Sequence, residues 1–139
     1  MQDQQLVRTF HDIFNTRAWS RLDEIIAPEQ RFLDVPLGRT AMGPGGIREF
    51  FQVWANACPD GRAEINELHA GDKHVVDLFT FRGTHTGPLA MPSGIVPATG
   101  KKIELLGCFL FEHRGGKIVA SRNYYDVATI MGQLGLLPG

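Results

Sequence analysis

The stretch IELLGCFLFEHRGGKIVASRNYYDV, residues 103–127, decides the fold because it contains two strands joined by a two-glycine turn. Residues 103–113 and 117–127 are rich in the apolar, β-branched and aromatic side chains that are typical of strands. Gly115 and Gly116 between them can adopt the positive backbone angles that a tight hairpin requires. The sequence therefore predicts an antiparallel hairpin near the C-terminus.

A second hairpin is predicted upstream of the first. HVVDLFTFRGTH, residues 74–85, has the same strand-like composition, and the alternating apolar residues of 63–68 precede it. Gly71 and Asp72 provide the turn. A loop dense in Gly and Pro, residues 86–100, separates the two hairpins, and a short helix is predicted to follow residue 127.

The N-terminal half has a helical period instead. The apolar residues that define an amphipathic first helix are Leu6, Val7, Phe10, Ile13 and Phe14. A second short helix around Leu22 is predicted to be capped by Ser20 and stopped by Pro28, with a short strand over residues 31–35 after it. A third helix, following a loop at 43–46, is predicted to end near Cys58.

This order of elements predicts the fold class. Helices that precede a set of antiparallel strands define an α+β protein, in which the helices cover the apolar face of the sheet. The 139 residues fit one domain, 1–139.

Composition and motifs argue against several kinds of partner. The chain has 14 Lys and Arg against 15 Asp and Glu, and these charges are scattered, so no nucleic-acid surface is expected. No apolar run is long enough to span a membrane, and the N-terminus does not resemble a signal peptide, so we expect a cytoplasmic protein. No P-loop, GxGxxG or Cys/His metal spacing occurs, so no cofactor or metal is expected.

Three polar residues of the last strand are candidates for chemistry. Strict alternation would place Arg122, Tyr124 and Asp126 on one face, near the end of the strand. A carboxylate at the mouth of a pocket has a raised pKa, which suits general acid/base catalysis. The alternative, that Asp126 only caps the following helix, is equally compatible with its position.

Two further polar residues and four aromatic residues complete the candidate set. His85 ends a strand and is either an acid/base group or a structural histidine bonded to the loop. Asp34 either faces a cavity or begins a turn. An apolar ligand pocket needs aromatic walls, for which the candidates are Phe14, Phe50, Trp54 and Phe109.

Several motifs together resemble the SnoaL-like polyketide cyclase (ester cyclase) family. These are FN at 14–15, GTHTGPL at 83–89, PATGK at 97–101, GKIV at 116–119, YD at 125–126 and QLGL at 133–136. The resemblance implies a cone-shaped, nuclear-transport-factor-2-like fold, shared with ketosteroid isomerase. It also implies a cofactor-independent intramolecular aldol reaction, with the family's catalytic aspartate at Asp126. On the penultimate strand, however, Gly107 and Phe109 occupy the places of the family's polar Gln-x-His pattern.

Three functional hypotheses follow. The first is an enzyme in which Asp126, assisted by His85, acts as acid and base on a hydrophobic carbonyl compound. The second is a binding or carrier protein that uses the same pocket without chemistry. The third is an interaction protein that forms a homodimer through the outer face of its sheet.

Overall fold

The computed structural model describes residues 3–137, so residues 1–2 and 138–139 at the ends of the predicted domain lie outside the described residues. The helices are α1 (Asp3–Thr16), a 3-10 helix (Trp19–Glu24), α2 (Gly43–Ala57) and α3 (Val127–Gln133). The strands are β1 (Ile26–Asp34), β2 (Arg39–Met42), β3 (Arg62–Ala70), β4 (His74–Thr84), β5 (Leu89–Met91), β6 (Gly94–Val96), β7 (Lys102–Arg114) and β8 (Lys117–Tyr125).

Six strands form one large curved sheet in the order β2-β1-β8-β7-β4-β3. Both predicted hairpins are present, as β3–β4 and β7–β8, and β4 pairs with β7 to join them. All neighbours in this sheet are antiparallel except β1 and β8, which run parallel. With the N-terminal helices α1 and α2 packed against the sheet, the fold is α+β, as predicted.

Three local predictions about the first half of the chain and the long loop are wrong. Pro28 does not stop a helix but lies within β1, where the pairing with β8 is interrupted between residues 26 and 31 and no amide donor is needed. Helix α2 begins at Gly43 rather than after the loop, because Pro44 is well tolerated in the first turn. The predicted loop 86–100 contains the small β5–β6 hairpin.

The core lies between the helices and the inward face of the sheet. On β4, the alternating residues Val75, Asp77, Phe79 and Phe81 are buried, so this face carries one carboxylate among apolar side chains. Aromatic rings from both helices and three strands meet around Phe109 of β7, which is 4% exposed. The centre of the protein is therefore an aromatic cluster.

A β-bulge in β8 determines which side chains of this strand face inward. Glu112 pairs with Ala120 and His113 pairs with Ile118, so Val119 is an extra residue between two consecutive pairs. Ile118 and Ser121 are consequently both buried although they are three residues apart. Beyond the bulge, Ser121, Asn123 and Tyr125 face inward.

Candidate functional site

An interior cavity of about 50 Å³ lies between α1, α2 and the sheet. Its walls are almost entirely aromatic. The four aromatic residues predicted from the sequence, Phe14, Phe50, Trp54 and Phe109, all line it, although their role in binding a ligand stays a prediction. Polar side chains reach the cavity from two elements only among the residues described, with His11 on α1 and Asn123 and Tyr125 on β8.

Tyr125 connects the cavity to a buried acid. Its hydroxyl donates a hydrogen bond of 2.9 Å to Oδ2 of Asp34, which is 1% exposed at the end of β1. Burial raises the pKa of Asp34 above its ordinary value, although the hydrogen bond from Tyr125 opposes this shift. Burial and the neighbouring carboxylate together raise the pKa of Tyr125 as well. Asp34 thus faces the protein interior and does not itself line the cavity, but it is bonded to Tyr125, which does.

Asn123 lies beside this pair in the sheet. It is paired with Phe109 on one side and with Asp34 on the other, and it is 3% exposed. Within residues 3–137, its Oδ1 has no hydrogen-bond partner. A buried amide oxygen without a partner is costly, so the site favours a ligand that carries a hydrogen-bond donor at this point.

His11 is a second polar group of the cavity. It is 5% exposed on α1, and its Nε2 contacts Oδ2 of the fully buried Asp77 on β4. The sequence contains the signal for its burial, since Val7, His11 and Phe14 are spaced four and three residues apart on one face of the helix.

Asp126 does not line the cavity. It is exposed and caps α3, where its carboxylate accepts hydrogen bonds from the backbone N–H of Thr129 at 3.2 Å and from its hydroxyl at 2.9 Å. These bonds lower the pKa of Asp126, so the expectation of a raised pKa is wrong. Asp126 does cap the helix, while its catalytic role stays a prediction. Arg122 and Tyr124 are also exposed, on the outer face of the sheet, because the bulge reverses the alternation that placed them inside.

His85 is fully buried but lies outside the aromatic cavity. Its Nδ1 bonds the hydroxyl of Thr99 at 2.9 Å and accepts the Thr99 backbone N–H at 3.2 Å. Burial lowers the pKa of His85, which keeps the ring neutral. This geometry matches the structural alternative, a histidine that holds the end of β4 against the loop before β7.

The packing of Phe79 from β4 against β7 leaves no room for a polar side chain at position 107. The ring of Phe79 lies over this residue so closely that a Cβ at position 107 would overlap it. Phe79 stacks in turn on Phe109, with ring centroids 5.5 Å apart. Aromatic rings therefore fill the space that the two polar side chains of the family pattern would need.

The described residues contain neither a cluster of metal ligands nor a membrane-spanning helix. In the range 3–137, no group of three or more His, Cys, Asp or Glu side chains is arranged to hold a metal ion. Among the same residues, no helix combines the length and the apolar character needed to cross a bilayer.

Comparisons with known proteins support the fold. TsrD from Streptomyces laurentii superimposes with a TM-score of 0.83 at 25% identity, covering 96% of this chain and 95% of TsrD. IdmH from Streptomyces antibioticus gives 0.81 at 24% identity, over 97% and 99% of the two chains. A Catenulispora acidiphila protein with a ketosteroid isomerase-like fold gives 0.78 at 17% identity, over 95% and 93%.

The sequence comparisons identify the family. No curated protein sequence matches the chain. The sequence profile of the SnoaL-like polyketide cyclase family matches residues 4–134, nearly the whole chain. This match confirms the resemblance drawn from the short motifs, and the chain belongs to the SnoaL-like polyketide cyclase family.

Proposed function

We propose that the protein is a cyclase- or isomerase-type enzyme that needs no cofactor and acts on a hydrophobic, carbonyl-bearing small molecule in the aromatic cavity. The observation that carries this proposal is the Tyr125–Asp34 pair, which places a partly buried phenol on the cavity wall with a buried acid behind it. Family membership supports the reaction class. IdmH, a similar structure, is itself described as a candidate polyketide cyclase.

The pair is suited to bind the carbonyl oxygen. In the structure the Tyr125 hydroxyl donates to Asp34, and a turn of this hydroxyl would direct the same hydrogen to a substrate carbonyl oxygen in the cavity. When a proton leaves the carbon beside the carbonyl, negative charge moves onto that oxygen. A donor already in place in apolar surroundings stabilises this charge, and removing one such donor typically costs roughly 10²–10³-fold in rate.

The size and lining of the cavity indicate the class of ligand. Pockets for small molecules usually measure about 300–1,000 Å³, so a cavity of about 50 Å³ must expand before a ligand enters. Most of the side chains that line the cavity are aromatic, and few are polar. We propose a flat, largely apolar substrate with a carbonyl group directed to Tyr125 and a hydroxyl directed to Asn123.

A ketone of simple structure tests the proposal without the natural substrate. The rate at which the protein exchanges the methyl protons of 2-acetylnaphthalene in deuterated water can be followed by proton NMR. We expect Tyr125→Phe to slow exchange by roughly 10²–10³-fold and Tyr124→Phe, its exposed neighbour, to leave the rate unchanged. Equal rates in the two variants would refute the role of Tyr125.

The two carboxylates provide a second matched comparison. Asp34→Asn changes the buried acid behind Tyr125, whereas Asp126→Asn changes the exposed cap of α3. We expect slower exchange only in the first variant. The acid/base roles first considered for Asp126 and His85 stay predictions, and a fall of roughly 10²–10⁴-fold in Asp126→Asn would return catalysis to that residue.

A carrier function is the second candidate. The ring of Phe79 over Gly107 and the ring of Phe109 favour a carrier function, because they leave the cavity with few groups able to transfer protons. A carrier would bind 2-acetylnaphthalene with the same affinity in wild type and Tyr125→Phe, and neither protein would exchange its protons. Titration calorimetry on the same samples measures the affinity.

We also propose that the protein forms a homodimer through the outer face of its sheet. Leu106 of β7 is 73% exposed, where a sheet in contact with water would carry a polar side chain. A groove on the same face carries both Arg122 and Glu112, so a second copy related by a twofold axis could pair opposite charges. Light scattering should give a dimer for wild type and a monomer for Leu106→Glu; a monomeric wild type would refute this.

A further inference from the structure

The proposed function does not use the buried pair His11–Asp77, of which His11 lines the cavity. Residues 66 positions apart are brought together by α1 and β4, and neither is more than 5% exposed. Oδ1 of Asp77 has no partner within residues 3–137, so His11 is the group that balances this carboxylate. A buried polar pair contributes little to stability compared with packed apolar residues, so stability alone does not explain it.

The contact with Asp77 determines which ring nitrogen of neutral His11 carries the proton. A carboxylate oxygen accepts hydrogen bonds, so Nε2, the nitrogen in contact with Asp77, carries the proton. In the neutral ring, Nδ1 then holds the free lone pair and is the basic atom. Asp77 also stabilises the imidazolium that forms when Nδ1 takes up a proton, as the acid behind a catalytic histidine does.

The position of His11 connects the cavity with solvent. The residue lines the aromatic cavity and also a separate surface groove between α1 and the β3–β4 edge of the sheet. Ala63 is the other residue that lines both. His11 therefore lies between the cavity and the groove.

We infer that His11 is a further catalytic residue, the base that removes a proton from the carbon beside the substrate carbonyl, and that Asp77 is its positioning residue. The inference rests on the proposed function, in which Tyr125 binds the carbonyl oxygen. The C–H bond breaks, its electron pair forms the C=C bond of an enolate, and the proton bonds to Nδ1 of His11. The imidazolium then returns this proton to the product or releases it to the groove.

The two halves of the reaction would then lie on different elements of the cavity wall. α1 supplies the base and β8 supplies the donor to the oxygen, and both His11 and Tyr125 line the same space. A substrate held between them has its acidic carbon toward the helix and its carbonyl oxygen toward the sheet. This arrangement predicts that small, planar ketones able to reach both elements are the preferred class.

A spectroscopic measurement on the wild-type protein shows directly which ring nitrogen of His11 carries the proton. In protein labelled with ¹⁵N-histidine, long-range proton–nitrogen correlations distinguish a protonated from an unprotonated ring nitrogen. We expect the form of His11 that holds a single ring proton to carry it on Nε2, and the Nδ1 signal to shift when 2-acetylnaphthalene is added. A single-proton form with the proton on Nδ1 would overturn the inference, whatever any variant does.

Exchange of the methyl protons of 2-acetylnaphthalene tests the role itself. We expect His11→Gln to slow exchange by roughly 10²–10⁴-fold with little change in affinity. We expect Asp77→Asn to slow exchange as well, and to allow the ring proton of His11 to lie on either nitrogen. The matched control is His74→Gln, an exposed histidine beside Glu112, which should exchange at the wild-type rate. Added imidazole should restore part of the exchange in His11→Ala.

The outcomes separate this inference from the proposed function. If Tyr125→Phe slows exchange and folded His11→Gln does not, the proposed function stands and the role of His11 is refuted. If wild type does not exchange the ketone, both are refuted. Failure of imidazole to restore any activity in a folded His11→Ala variant would also count against the base.

Discussion

Replacing Phe109 with alanine should cause one of the largest losses of stability available in this chain. The side chain is 4% exposed, and its ring centroid lies 5.1–6.4 Å from those of five other rings. These rings belong to Phe10, Phe32, Phe50, Phe79 and Phe111. Buried Phe→Ala changes cost about 3–5 kcal/mol, and the aromatic contacts place this one near about 5 kcal/mol.

Urea denaturation followed by circular dichroism measures the loss. Domains of this kind unfold with about 5–15 kcal/mol in total, so the midpoint should fall by a third or more. Ile95→Ala is the control, because Ile95 is 70% exposed on β6 and should lose less than about 0.5 kcal/mol. A cavity ligand such as 2-acetylnaphthalene should restore more stability to Phe109→Ala than to wild type.

The refuting result is a small effect. If Phe109→Ala lost less than about 2 kcal/mol, below the range for buried aromatic residues, the rings would not be packed as the structure has them. The interior would then be an open pocket rather than a cluster with about 50 Å³ of free space.

Three further predictions concern single residues of the sheet and α3. Asp126→Ala should cost about 1 kcal/mol in thermal melts through loss of the helix cap, and leave proton exchange unchanged. Gly107→Ala should cost about 1–3 kcal/mol, because the new Cβ overlaps the ring of Phe79. Asp34 has a raised pKa in the folded protein, so its stabilising contribution is complete below the unfolded carboxyl pKa of about 4 and is lost as pH rises through the folded value. Asp34→Asn should flatten that part of the plot of unfolding free energy against pH.

Each of these predictions has a contradicting result. A melting temperature of Asp126→Ala equal to that of wild type would mean that the cap contributes nothing. A neutral Gly107→Ala would show that Phe79 can move aside at little cost. An unfolding free energy that depends on pH equally in wild type and Asp34→Asn would place the responsible group elsewhere.

The change from helical to strand period was sufficient to predict the fold class and both hairpins, but it could not predict the faces of β8. Counting by twos from the buried Ile118 leads to Arg122, Tyr124 and Asp126, which is the wrong set. The bulge at Val119 shifts the alternation by one residue. A bulge of this kind leaves no mark in the sequence, since Val is also an ordinary strand residue.

The partners of the candidate site were beyond sequence reasoning for a different reason. His11 and Asp77 each occupy a position whose burial the local period predicts, but their contact depends on how α1 crosses β4. Tyr125 and Asp34 similarly meet only because β1 runs parallel to β8, a pairing between the two ends of the chain. The hydrophobic period of one segment predicts which of its side chains are buried. It does not predict which side chain of a distant segment they will contact.

The nearly filled interior has a kinetic consequence. A ligand can enter only a conformation in which some aromatic rings have moved apart, so the measured affinity is the affinity of that open conformation reduced by the fraction of molecules that adopt it. At high ligand concentration, the observed binding rate should therefore reach a plateau set by the opening of the cluster. Substitutions that loosen the packing of these rings should raise the plateau, so that one aromatic cluster controls both the stability of the fold and the rate of access to its centre.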